Sequence, residues 1–199
     1  METKDIDDFL LTKTVTVGEA LEWIKEKNDS ARDGLVNLIH HFSHNRYIKH
    51  LDEIDSGYLK MAISCLTIET LESFRQGIPD TSGKSKQMFI DFFSREDRLF
   101  HGFKDIASDF YKSIRCGILH QAETTNAWRI LIEDNFNLLD KTNRTINATK
   151  FVNALKISLN NYIDELKTND FNTPIWENAI LKIENICENC KPLVNMTSD

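Results

Sequence analysis

The stretch from Asp55 to Pro79 constrains the fold more than any other part of the chain. Leu59, Ala62, Ile63, Leu66, Thr70 and Phe74 recur at intervals of three and four residues, a spacing that stacks side chains on one face of an α-helix. Gly77 and Pro79 follow as a stop signal, glycine because it accepts the left-handed turn that ends helices and proline because it cannot continue one. A helix beginning near Asp55 and burying that face is therefore expected. The same period recurs in Val17, Ala20, Leu21 and Ile24 before Lys27, and a second helix is expected from a Ser30–Asp33 cap to about Leu51. Met88, Phe89, Phe92 and Phe93 suggest a short, very apolar helix, and Ile106, Ala107, Phe110, Ile114 and Ile118 line a helix from Phe103 to about His120. Val152, Leu155, Leu159, Tyr162, Ile163 and Leu166 define another. Trp176, Ala179, Ile180 and Ile183 define the last, opened by Thr173 as N-cap and Pro174 at the first helical position. The fold class expected is mainly all-α, a helical bundle.

One region breaks the period. Trp128, Ile130 and Ile132 alternate with Arg129, Leu131 and Glu133, a strand-like pattern, and Leu138 to Ile146 suits a hairpin around Thr142-Asn143. A small β-hairpin insertion is expected around residues 127–147.

With 199 residues, the chain suits one domain spanning 1–199. It is 41% hydrophobic and 28% charged, and no apolar run reaches membrane-spanning length, so no membrane partner is expected. The acidic start from Met1 to Asp8 lacks the basic flank and apolar stretch of a secretory signal, which points to the cytoplasm. Four cysteines (Cys65, Cys116, Cys187 and Cys190) are too sparse for a disulfide scaffold. The glycosylation-type triplets at Asn28, Asn143, Asn147 and Asn195 then read as chance matches. A net charge of -7 opposes broad binding to nucleic acid or anionic membrane, and leaves room for a small local phosphate site.

The segment Phe110-Tyr111-Lys112-Ser113-Ile114-Arg115-Cys116-Gly117-Ile118-Leu119-His120-Gln121-Ala122-Glu123-Thr124 sets Arg115 and His120 five apart at the end of an amphipathic helix. This resembles the Arg-x4-6-His signature of the HEPN superfamily, with Gly117 and Gln121 around it and an apolar helix before it. The resemblance covers this motif and the general order of helices from about Leu59 to Leu166. It implies a helical bundle, a homodimer and, in many members, a metal-independent endoribonuclease. Other members have lost catalysis and serve as toxin–antitoxin partners or interaction modules. Carried onto this chain, it makes Arg115 and His120 the catalytic candidates, with Cys116 and Gln121 in supporting places, RNA as substrate, an antitoxin or other protein as partner, and no metal or cofactor.

The residue types suit that chemistry. Cleaving RNA through its own 2'-hydroxyl needs a group that moves protons near neutral pH and a cation that steadies charge on phosphate, which histidine and arginine supply. Residues five apart on an ideal helix point about 140° from each other and lie about 7.5 Å apart along the axis. One intact helix does not converge them on one phosphate. Either the helix loosens near Gly117 or two copies of the motif meet across a symmetric interface, and the second is favoured. Catalytic members of the family it resembles usually carry Asn, Asp or His immediately after the arginine, whereas Cys116 stands here and a thiol is a weak hydrogen-bond partner.

Other patterns carry less. His40, His41 and His44 include an i, i+4 pair without a third ligand fixed by sequence, so packing is the default reading over a metal site. Cys187-Glu188-Asn189-Cys190 is a lone CxxC whose sulfurs continue the stripe of Trp176, Ile180 and Ile183, so burial is expected. Gly83-Lys84-Ser85 resembles the end of a phosphate-binding loop, but the earlier glycine would fall at Ile78 and no strand precedes it. Phe89, Phe92, Phe93, Phe100, Phe103 and Phe110 read as core. Two functions stay open: an HEPN-like ribonuclease of a defence or toxin system, favoured by the Arg–His pair, and a non-catalytic dimerisation or interaction module, favoured by the acidic charge and Cys116.

Overall fold

In the computed structural model, which describes residues 6–190, the chain is mainly helical with one small sheet. The helices are α1 (Val17–Glu26), α2 (Asp29–His40), α3 (Gly57–Gln76), α4 (Ser85–Arg95), α5 (Ala107–Phe110), α6 (Cys116–Gln121), α7 (Ala148–Thr168) and α8 (Pro174–Glu188). Two wider π-turns interrupt the helical ladder, His41–Asn45 after α2 and Tyr111–Arg115 between α5 and α6. Among the described residues no helix is long and apolar enough to cross a membrane.

Local signals account for most boundaries. Thr16 and Glu19 form a reciprocal capping box at the head of α1: Glu19 N–H donates to the Thr16 hydroxyl and Thr16 N–H to the Glu19 carboxylate. Helix α2 is capped by Asn28, whose side chain accepts from Ala31 N–H, and not by the Ser30–Asp33 pair. An asparagine two residues earlier turns its own amide oxygen toward the free N–H groups. The helix expected to reach Leu51 ends at His40 and continues as the π-turn and a 3-10 turn over Ile48–Glu53. Gly77 ends α3 with φ 62°, as its type suggested. Pro174 opens α8, but the Thr173 hydroxyl donates to the Asp170 carbonyl and caps no helical N–H.

Helix α3 is the hub, packing on α4, α7 and α8. Its buried face differs from the expected one. Met61, Cys65, Ile68, Leu71 and Phe74 are buried, while Leu59 and Leu66 are 45% and 38% exposed. Lys60, Ser64, Thr67, Glu72 and Ser73 are also buried, each with its own partner: Lys60 on the Leu51 carbonyl, Ser64 and Thr67 on carbonyls one turn back, Ser73 on the Ile78 carbonyl and Glu72 on Arg95. Because satisfied polar groups are tolerated inside, the helix turned by about a residue relative to its apolar pattern.

The face of α7 is the one the spacing indicates: Val152, Leu155, Leu159, Tyr162, Ile163 and Leu166 are all buried. Phe89, Phe92, Phe93, Phe100, Phe103 and Phe110 gather with Phe151 in one aromatic core, with Phe93 5.0 Å from both Phe103 and Phe110 by ring centroid. The expected hairpin is present as β2 (Leu139–Asp140) and β3 (Thr145–Asn147), antiparallel around Thr142-Asn143. A third strand, β1 (Arg129–Leu131), lies parallel to β3 on its other side, giving the order β1-β3-β2. Asn147 then caps α7 by accepting from Lys150 N–H.

Candidate functional site

The motif lies where α5, the π-turn Tyr111–Arg115 and α6 follow one another without a loop. Arg115 is the last residue of the π-turn and His120 lies in the last turn of α6, which ends at Ala122 in a left-handed conformation. The helix does not loosen at Gly117. Gly117 sits inside regular α6 because the following chain folds back on it: a Cβ there would lie 2.6 Å from the Glu123 carbonyl oxygen and 3.3 Å from the Thr124 Cα. The irregular turn lies upstream, and Arg115 and His120 keep the divergence of an ordinary helix.

The returning segment is firmly tied. Thr125 N–H donates to the Ser113 carbonyl at 3.0 Å, the Asn126 amide to the Ser113 hydroxyl at 2.8 Å, and that hydroxyl to Asp109 at 2.6 Å. Trp128 Nε1–H donates to the other Asp109 oxygen at 3.0 Å. The Tyr58 hydroxyl on α3 donates to Glu123, which also accepts from Thr124 N–H. These bonds fix the end of α6 against α3 and the sheet.

Arg115 is largely covered. Its Nε–H donates to Glu69 Oε1 on α3 at 2.7 Å, and its guanidinium lies 5.6 Å from the Tyr111 ring centroid. The second Glu69 oxygen accepts from the Ser85 hydroxyl at the start of α4, at 2.8 Å. Burial pulls the guanidinium down, but the hydrogen bond and charge of Glu69 outweigh it, so its affinity for the proton is raised. The Cys116 thiol borders both Arg115 and the Tyr111 hydroxyl, whose pKa is pushed up by burial and by the hydrogen bond to Cys116.

His120 and Gln121 are exposed, and neither side chain forms a hydrogen bond or ion pair with a described residue. Arg115 lines a groove of about 360 Å³ with Leu66, Glu69, Thr70, Ser73, Thr81, Leu119 and Lys182; His120 does not. A single protomer thus brings Arg115 and Cys116 together and holds His120 and Gln121 apart from them. Glu69, Tyr111, Ser85 and Lys182 come to the site from beyond the motif, and only Tyr111, one helical turn before Arg115, had a spacing that pointed to it.

The remaining histidine and cysteine patterns stand elsewhere. His40 and His44 stack with ring centroids 4.6 Å apart. All four cysteines are free thiols; Cys187 is buried and Cys190 partly so, its thiol donating to the Ile186 carbonyl. Among the described residues no group of three or more His, Cys, Asp or Glu is placed to hold a metal ion.

No family model matches the chain, and no curated protein or solved structure matches it either.

Proposed function

We propose that the chain is a metal-independent endoribonuclease of HEPN type, working as a homodimer whose reaction centre takes Arg115 from one protomer and His120 from the other. The observation that carries this reading is the state of the two side chains. His120 is exposed at a helix end, its side chain without a hydrogen bond among the described residues, five residues after an arginine that lines an open groove. An imidazole can accept or give a proton, while a guanidinium offers two parallel N–H donors to a phosphate. Their divergence along the π-turn and α6 leaves each protomer with an incomplete centre, which a two-fold pairing of motif helices completes. Leu119, 47% exposed between them, supplies apolar surface for such a pairing.

In this reading the RNA 2'-hydroxyl attacks the adjacent phosphorus and the bond to the 5'-oxygen breaks. His120 moves the proton between the attacking and leaving oxygens, and Arg115 steadies the added charge on the phosphate. The products are a 2',3'-cyclic phosphate and a 5'-hydroxyl. Single-stranded RNA is cut in EDTA, DNA is spared because it lacks the nucleophile, and His120→Ala and Arg115→Ala each abolish cutting. Cys116→Asn raises the rate by giving a stronger hydrogen-bond partner beside Arg115. Full activity in His120→Ala overturns the mechanism. A cytoplasmic place and a protein partner such as an antitoxin belong to the same proposal.

One observation favours a second reading, that of a non-catalytic dimerisation or interaction module. Arg115 spends its Nε on Glu69 and so ties the motif helix to α3. Absence of cutting in every form, Cys116→Asn included, moves the choice to that reading.

A further inference from the structure

The groove beside Arg115 holds a second cation from a separate element. Lys182, on α8, lines it together with Arg115, with Leu66, Thr70 and Ser73 of α3 and with Thr81 of the loop before α4. We propose that this groove is a subsite for a backbone phosphate of single-stranded RNA, bound by Lys182 next to the phosphate that Arg115 holds. The substrate class rests on the nuclease reading; Lys182 and the α8 side of the site go beyond it.

Three observations support it. First, Lys182 has no counter-ion. Its ammonium donates to the Pro79 carbonyl at 2.7 Å, and it forms no ion pair among the described residues, where the other groove cation, Arg115, has Glu69. A neutral carbonyl takes one of three N–H donors and leaves the charge uncompensated. Burial pulls its proton affinity below that of ordinary lysine, and Asp80 offsets this only in part. Asp80 is itself on the surface, with one oxygen accepting from Ser82 N–H. A half-buried cation in this state gains from an anion entering the groove.

Second, Glu69 does not compete for that place. One of its oxygens is taken by Arg115 and the other by Ser85, so the carboxylate acts as an anchor that holds Arg115 through Nε and leaves the two outer guanidinium nitrogens free of Glu69. Third, the remaining walls suit a nucleotide. The Thr81 hydroxyl is uncommitted among the described residues, while Leu66, 38% exposed, gives apolar surface against which a base can lie. A groove that holds cations beside apolar surface suits a single strand, whose phosphates and bases are both exposed. In a chain of net charge -7, two cations sharing a groove mark a local site and not a general affinity for polyanions.

The test is binding of a fluorescently labelled short single-stranded oligoribonucleotide to the full chain carrying His120→Ala, followed by anisotropy across a salt series. Lys182→Gln keeps a donor for the Pro79 carbonyl and removes the charge; it should weaken binding several-fold and lower the slope of log affinity against log salt by about 0.7, the loss of one single-strand phosphate contact. Lys182→Arg should restore both. Lys156→Gln, which removes a cation paired with Asp52 outside the groove, should change neither. Unchanged affinity and slope in Lys182→Gln, or no binding by the parent, overturns the subsite. If the wild-type chain cuts RNA while Lys182→Gln binds like its parent, the subsite falls and the nuclease reading stands. If the oligonucleotide binds through Lys182 and the wild-type chain cuts nothing, the subsite stands and the nuclease reading falls.

Discussion

Arg115 and Glu69 are joined at 2.7 Å across the packing of the motif helix on α3, with both side chains mostly shielded from water. That bond does two things at once. It holds the helices together, and it fixes Arg115 at the wall of the groove.

Glu69→Ala leaves a largely buried guanidinium without its partner and removes the closer of the two acceptors of the Ser85 hydroxyl. Denaturant unfolding should show a loss of about 1–3 kcal/mol. Glu69→Gln keeps an acceptor for Nε and should recover part of that loss. Equal stability of Glu69→Ala and the wild type would show that the bond does not hold in solution.

Gly117→Ala tests the folding-back of the chain after α6. The new Cβ meets backbone, the Glu123 carbonyl oxygen at 2.6 Å, and backbone cannot swing aside as a flexible side chain can. A loss of about 1–3 kcal/mol is expected, as for other overpacked sites. An unchanged melting curve would mean that the 123–125 segment does not pack on α6.

The contrast between α7 and α3 explains what could be read from residues alone. The apolar stripe of α7 is its buried stripe, because solvent lies on the opposite side of that helix. Helix α3 is packed from several sides, and there Ser64 and Thr67 satisfy themselves on carbonyls of their own helix and so enter the core at little cost. Their identities do not announce burial, and Leu59 and Leu66 do not announce exposure. The hairpin was legible from alternation and its turn residues, while the parallel pairing of β1 depends on a crossover that no local pattern encodes. At the site, the spacing of Arg115 and His120 and their divergence followed from helix geometry. Glu69, Ser85 and Lys182 did not, since each comes from a different helix, Glu69 and Lys182 to the groove and Ser85 to the Glu69 carboxylate.

The stacked histidines make stability depend on pH. Burial first, then the charges of His44, Lys167 and His41, holds the His40 imidazole below the ordinary histidine value of 6.5. Protonation is therefore harder in the folded than in the unfolded chain. The contribution of His40 is complete above the unfolded value and is lost as pH falls through the lowered folded value. Thermal melts from pH 7 down to pH 5 should show falling stability, and His40→Gln should make the fall shallower. An equally steep fall in His40→Gln would assign the effect to other groups.

The central claim is that one reaction centre draws Arg115 and His120 from different protomers, and mixing two inactive variants tests it most directly. Arg115→Ala and His120→Ala, each purified alone, should cut no RNA in EDTA. Unfolded or dissociated together and reassembled in equal amounts, half of the dimers are mixed, and each mixed dimer carries one centre with both side chains intact. The mixture should regain about a quarter of wild-type activity, with 2',3'-cyclic phosphate ends on the product. A mixture that shows mixed dimers and stays inactive, beside a wild type that cuts, would contradict a centre shared between protomers.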